Sequence, residues 1–345
     1  MRSMPIKLMA VAVVTAFASA ACGSGGSGST GPVSGTWDDV VAAAKGEGSV
    51  LLYSSQNPAN LEALKVAFEQ EYPEISLEYV RGTDADINPK VEVENQTKRG
   101  TADVHMMTDA AWIETAAASG TYSTDLVGPA FDAPEYQPQK SIISDKFFLT
   151  SAAVFALGWN TTALPGGLQK PADLLDPALK GKIGIVNPSG IASYVDFYRF
   201  FEKNFGADYL QKLAELKPRI YPSSLGIAQA LTSGEIVATP VVQPLVREKE
   251  SGAPVDWALP SPPWGTPWFT HALSAAPHPN AAQVLANFMV TPAGQKALSL
   301  GYASALPGIE GSVAQAQDIA LPNPSDLTPE SLTEYQSDWE KRFIQ

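Results

Sequence analysis

Residues 49–80 read SVLLYSSQNPANLEALKVAFEQEYPEISLEYV, and this stretch decides the fold. Ser49–Tyr53 is an apolar run with the length of a buried strand. A polar loop follows, Ser54-Ser55-Gln56-Asn57. Pro58 then opens a helix at a position where its missing N–H costs little. Leu61, Leu64, Ala67 and Phe68 fall on one face of that helix. Ile75, Leu77 and Tyr79 alternate through a second strand. Strand, helix and strand in this order predict a parallel pair joined by a helical crossover.

The alternation continues outward. Val91–Lys98 reads as a helix, Ala102–Met107 as a third strand, and Ala110–Ser119 as a helix closed by Gly120. The loops after parallel strands gather along one edge of the sheet, where ligands bind. Ser54, Ser55, Gln56 and Asn57, then Arg81 with Gly82, then Thr108 with Asp109, are therefore expected along one rim. A second α/β unit follows: a strand at Ile183–Val186, a long helix through Phe197, Phe200, Phe201 and Phe205, a strand at Pro218–Pro222, a helix capped by Ser223 or Ser224, and a strand at Ile236–Val242. Two long apolar runs, Phe147–Gly158 and Trp268–Ala276, are expected to cross between the units. The expected architecture is α/β, with residues 36–152 and 267–300 in one lobe, 153–266 in the other, and 301–345 packing on both. Two such lobes joined by crossing strands form a hinged clamp that buries a ligand on closure.

Composition narrows the function. The 345 residues are 45% hydrophobic and 17% charged, as in a folded globular protein, and the formal net charge is −13. No basic cluster is present for a phosphate backbone, so nucleic acid is not an expected partner. At the N-terminus, Arg2 and Lys7 precede the apolar run Leu8–Phe17, the small residues Ala18-Ser19-Ala20-Ala21, and Cys22, the one cysteine of the chain. This layout predicts a secretory signal over residues 1–21. The Ala-Cys junction resembles a bacterial lipobox, with Ser19 where a leucine is more usual, and it implies lipidation of Cys22. The Gly- and Ser-rich segment 22–35 then reads as a flexible tether to a membrane.

Enzymatic signatures are missing from the sequence. His105, His271 and His278 have no metal-ligand spacing, and no Gly-x-Ser-x-Gly elbow occurs. His105 lies inside a strand and reads as a core residue. Neither a metal nor a cofactor is expected, and the chain is read as a binding protein, not an enzyme, with a secreted hydrolase as the alternative from another class.

Four stretches carry a family resemblance: Val50–Pro73; KPADLLDPALKGKIGIVNPSG, Lys170–Gly190; GIAQALTSGEIVATP, Gly226–Pro240; and APHPNAAQVLANFMVTPAGQKAL, Ala276–Leu298. In that order they resemble the extracellular solute-binding proteins of ABC importers, in the group that takes ferric iron, thiamine, polyamines and phosphonates. The resemblance implies a type II periplasmic-binding fold, a membrane permease as partner, and a monomer. Ferric-binding members place two adjacent tyrosines after the Gly-Glu strand. Here that stretch reads Pro240-Val241-Val242-Gln243-Pro244-Leu245, and no tyrosine occurs from Pro222 to Gly301. Hard ferric ion favours phenolate and carboxylate oxygens, so iron is not the predicted ligand.

The resemblance also implies an anion site at a Ser-Gly turn, here Ser189-Gly190-Ile191, where a helix N-terminus offers free N–H groups. Ser224 and Arg81 are expected to add a hydroxyl and a charge. Trp264, in the loop PPWGTPW, is expected near the cleft as a stacking face. Two ligand classes follow. One is an anion-bearing organic solute, such as a sugar phosphate or phosphonate, held by Ser189-Gly190 and Arg81. The other is a cation, such as a polyamine or thiamine, held by Trp264 and Asp109.

Overall fold

The computed structural model describes residues 31–319 and 322–344. The signal segment and Cys22 lie outside the described residues. The strand Ser49–Ser54 sits between two parallel neighbours, Ser76–Arg81 and Val104–Met107. Its inward residues Val50 and Leu52 are almost fully buried. The helix Pro58–Glu71 crosses between the first two strands, and Leu61, Leu64 and Phe68 fill the space beneath it. Ala110–Ser119 is a helix with Gly120 as its left-handed cap. The preceding helix starts earlier than its pattern predicts, at Asp84, because a Thr83–Asp86 capping box opens it ahead of Pro89.

The sheet is mixed, where the strand–helix alternation predicts a parallel one. Trp264–Ala272 runs antiparallel to both Val104–Met107 and the long strand Phe147–Asn160. The expected loop Pro262–Trp268 becomes strand from Trp264 onward. Gly265 allows this, because a Cβ there would collide with the Ala153 carbonyl of the neighbouring strand.

Two hydrophobic cores share these long strands. Phe147, Phe148, Leu149 and Val154 enter the first core, whereas Phe155, Leu157 and Trp159 of the same strand enter the second. The returning strand hands over in the same way, with Trp264 in the second core and Trp268 and Phe269 in the first. The second core is built on the parallel pair Gly184–Val186 and Arg219–Tyr221. The strands Ala238–Val242 and Val255–Ala258 pair with the far half of the long strand. Helix Ala192–Phe205 buries Phe197, Tyr198 and Phe201 in the same core.

The C-terminal part touches both cores. Ala303, Leu306 and Ala316 pack in the first, and Trp339 of the helix Pro329–Phe343 is buried in the second. Among the described residues no helix is long and apolar enough to cross a membrane.

Candidate functional site

A cleft of about 370 Å³ opens between residues of the two cores. Its polar lining is Asn57, Ser224, Gln243, Arg247, Glu248 and Tyr302, with Leu225 and Ala228 on an apolar side. Asn57 is fixed by its place in the fold. Its side-chain oxygen accepts from the Ala59 N–H and caps the helix Pro58–Glu71. Its own N–H donates to Gln56 Oε1 at 2.9 Å. Gln56 is fully buried and donates to Ser151 Oγ on the long strand, which ties this loop to the crossing.

Tyr302 stands in the first core with its ring edge-on to Trp268, centroids 5.4 Å apart. Burial raises its phenol above the ordinary tyrosine value. Contacts with Asn57 and Gln243 and the charges of Arg247 and Arg81 pull the other way without reversing it. The phenol is therefore neutral at pH 7 and can donate its proton to an acceptor. Arg247, on the short helix Val246–Glu250, donates from Nη2 to Asn60 Oδ1 at 3.1 Å. Arg81, exposed at the end of its strand, donates from Nε to the Gln56 carbonyl at 3.1 Å. One guanidinium, a neutral phenol and two amides thus line one cleft beside the Glu248 carboxylate, with the charge of Arg81 felt at Tyr302. Such a set attracts an oxyanion through charge-assisted hydrogen bonds.

The residues picked out from the sequence divide. Asn57 and Ser224 line the cleft, and Arg81 reaches it electrostatically. Ser54 is fully buried and turns inward, donating to Met106 Sδ and accepting from the Gln56 N–H. Ser55 Oγ accepts from the Trp268 indole at 3.1 Å. Thr108 donates to Asp84, and Asp109 caps its helix through the Trp112 N–H while accepting from Asn88.

Ser189, Gly190 and Ile191 are exposed ahead of the helix Ala192–Phe205 and do not line the cleft. The Ser189 N–H is taken by Asn187, and Gly190 makes the turn with φ +74°, a conformation that favours glycine. The helix cap expected at Ser223 or Ser224 falls on Ser223, whose Oγ accepts from Gly226. Ser224 is one residue inside the helix, where its N–H donates to the Tyr194 hydroxyl.

Trp264 differs most from its expected place. It is 5% exposed, stacked on Phe155 with ring centres 5.0 Å apart, and its indole donates to Asp196. The strand pairing that converts its loop to sheet turns the ring into the second core. Trp268 packs in the first core, where its indole donates to Ser55 and its ring meets Tyr302 beside the cleft.

Arg247, Gln243, Glu248 and Tyr302 were not singled out from the sequence. Tyr302 directly follows the tyrosine-free stretch Pro222–Gly301, and VREKE resembles any solvated helical turn. Position after the Ala238–Val242 strand was the one available signal for Gln243.

His105 and His271 are fully buried and 3.2 Å apart, with Ser123 Oγ 2.7 Å from the far nitrogen of His271. Burial lowers both imidazoles, His105 to about 3. This neutral chain of polar groups pins the strands Val104–Met107 and Trp264–Ala272 together inside the core. Among the described residues no three His, Cys, Asp or Glu side chains group to hold a metal ion.

Two α/β cores joined by shared long strands around a polar cleft define a type II periplasmic-binding clamp. The sequence profile of bacterial extracellular solute-binding proteins matches residues 63–323. The chain belongs to that family, so it is an extracytoplasmic solute-binding protein of ABC transport. No curated protein matches the sequence.

Solved structures share the fold at low identity. Iron-bound HitA from Pseudomonas aeruginosa is 21% identical, covering 85% of this chain and 99% of that one, at a TM-score of 0.63. The substrate-binding protein of an ABC transporter from Agrobacterium tumefaciens is 15% identical over 88% and 97%, at 0.67. AfuA from Actinobacillus pleuropneumoniae, with fructose 6-phosphate bound, is 21% identical over 86% and 97%, at 0.57.

Proposed function

We propose that this protein captures a small organic anion, of the sugar-phosphate or phosphonate kind, and delivers it to a membrane permease. The observation that carries this reading is the meeting of Arg247 and the neutral Tyr302 phenol with Asn57 and Gln243 at the cleft, Arg81 adding positive charge nearby. The cationic alternative loses its supports, since Trp264 is buried against Asp196 and Asp109 is engaged with Asn88 and Trp112. A ferric site is disfavoured because Tyr302 is the one tyrosine lining the cleft among the described residues, and its proton is held firmly. Of the similar structures, AfuA with its sugar phosphate agrees with this reading better than iron-bound HitA.

The protein works as a monomeric clamp, closing residues 153–266 onto the remainder about the two crossing strands. The change of core between Val154 and Phe155, and again between Trp264 and Trp268, supports that division. Cys22 carries the lipid, and residues 22–35 tether the clamp to the membrane. Fatty-acid labelling of cells is expected to mark the protein and to be lost in Cys22→Ala; persistent labelling of that variant would refute the anchor.

A thermal-shift screen of the chain from Gly35 tests the ligand class with fructose 6-phosphate, methylphosphonate, ferric citrate, thiamine and spermidine. A ligand at a hundred times its Kd adds about 2.7 kcal/mol to stability. Stabilisation by the phosphorus-bearing solutes is expected. Stabilisation by thiamine or spermidine alone, or by the ferric salt alone, would overturn the anionic reading.

A further inference from the structure

Arg247 is held by a residue that does not itself line the cleft. Asn60 lies on the helix Pro58–Glu71, 1% exposed, and its Nδ2 donates to the Leu298 carbonyl at 2.7 Å. A carbonyl accepts and never donates, so this bond fixes the amide with Oδ1 outward. That oxygen receives Nη2 of Arg247 at 3.1 Å. The two partners belong to opposite sides. Leu61, beside Asn60, packs in the first core, and Leu245, two residues before Arg247, packs in the second. Arg247 makes no other side-chain hydrogen bond among the described residues, so its remaining N–H groups are free to meet a ligand.

A guanidinium presents several donors in a rigid plane. One donor engaged by Asn60 therefore sets the direction of the others. A long, otherwise free side chain would lose much of its rotamer freedom on gripping a ligand, and the Asn60 bond removes most of that cost beforehand. We propose that Asn60 is a positioning residue for the captured anion: it clasps Arg247 across the cleft, so an anion gripped by Arg247 is tied to both sides of the clamp at once. Asn60 is chemically suited to this as a neutral acceptor. A carboxylate in its place would pair with Arg247 and compete with the ligand for its charge.

The inference rests on the anionic reading of the cleft, and the test separates the two. Calorimetry on the full chain measures Kd for fructose 6-phosphate and for inorganic phosphate in the wild type, in Asn60→Asp, in Arg247→Lys and in the double variant. Asn60→Asp is expected to weaken both probes about tenfold or more, the scale of one charge-assisted hydrogen bond. Arg247→Lys keeps the charge but loses the fork, and is expected to weaken them similarly. Because Arg247 is exposed, that variant keeps the test alive if Asn60→Asp melts early against the Leu298 carbonyl.

The double variant is expected to be little worse than either single one, since both break the same clasp. A merely structural Asn60 would instead give losses that multiply. Multiplying losses, or unchanged Kd values in both single variants, would overturn the role of Asn60 and leave the anionic cleft standing. A wild type that binds neither probe would overturn both.

Discussion

Tyr302 shows how a side chain can serve packing and recognition together. Its ring completes a T-shaped contact with Trp268, and its hydroxyl faces the amides and guanidinium groups of the cleft. Removing only the oxygen separates the roles. Tyr302→Phe is expected to weaken binding of the best anionic ligand by roughly tenfold to a hundredfold, because a hydrogen bond to a charged group contributes about 1.5–3 kcal/mol. Its melting temperature is expected to change little. Calorimetry and thermal melts on one preparation check both statements; unchanged affinity would remove Tyr302 from the site. None of this was visible in the sequence, where Tyr302 follows a glycine in an unpatterned segment. Asn57 was legible because a polar residue between a strand and a proline-started helix has few places to go. Ser54 was misleading for the same reason, since a loop residue next to a strand end can turn inward as easily as outward, and here Met106 and Gln56 claim it.

At the scale of elements, hydrophobic period located most strands and helices, and Ala110–Ser119 matches its expected bounds. Pairing direction was not legible, because it depends on where the returning strand comes from and not on its own residues. The same strand pairing moved Trp264 from a loop into the core.

The antiparallel contact of Trp264–Ala272 with Val104–Met107 also sets His271 opposite His105. This pair makes stability depend on pH. Burial holds both imidazoles below the unfolded value of about 6.5, so above that pH both states are neutral and the pair costs nothing. As pH falls through 6.5, the unfolded chain takes up protons that the folded chain refuses. Stability then declines by up to about 1.4 kcal/mol per pH unit for each histidine, until the folded value near 3 is approached for His105. The rings facing the pair are Trp112 and Phe147, with Ser123 as polar neighbour, so no opposite charge softens the effect. Urea midpoints between pH 7.5 and pH 5 are expected to fall in the wild type and to flatten in His105→Gln. Parallel curves would show that the pair is not the cause.

For the whole molecule, the two-core plan was legible because two alternating strand–helix stretches are separated by uninterrupted apolar runs too long for one layer. The cleft chemistry was less so. Arg247, Gln243 and Tyr302 come from segments far apart in sequence, and only the folded chain brings them to Asn57. The C-terminal segment was readable only as packing. In the structure it supplies Tyr302 to the cleft, Ala316 to the first core and, through Trp339, a plug in the second.

The division of one strand between two cores has a consequence for synthesis. The first core draws on residues from 40 to 154 and from 268 to 319, whereas nearly all of the second comes from 155 to 264. A chain emerging from N- to C-terminus therefore holds most of the second core before the unit that began first has its closing strand, and Trp339 reaches the second core last of all. Until Trp264–Ala272 arrives, the edge of Val104–Met107 that it will cover stands unpaired. The half that starts first waits across the whole inserted segment for that strand, and a nascent chain is exposed along that open edge for as long.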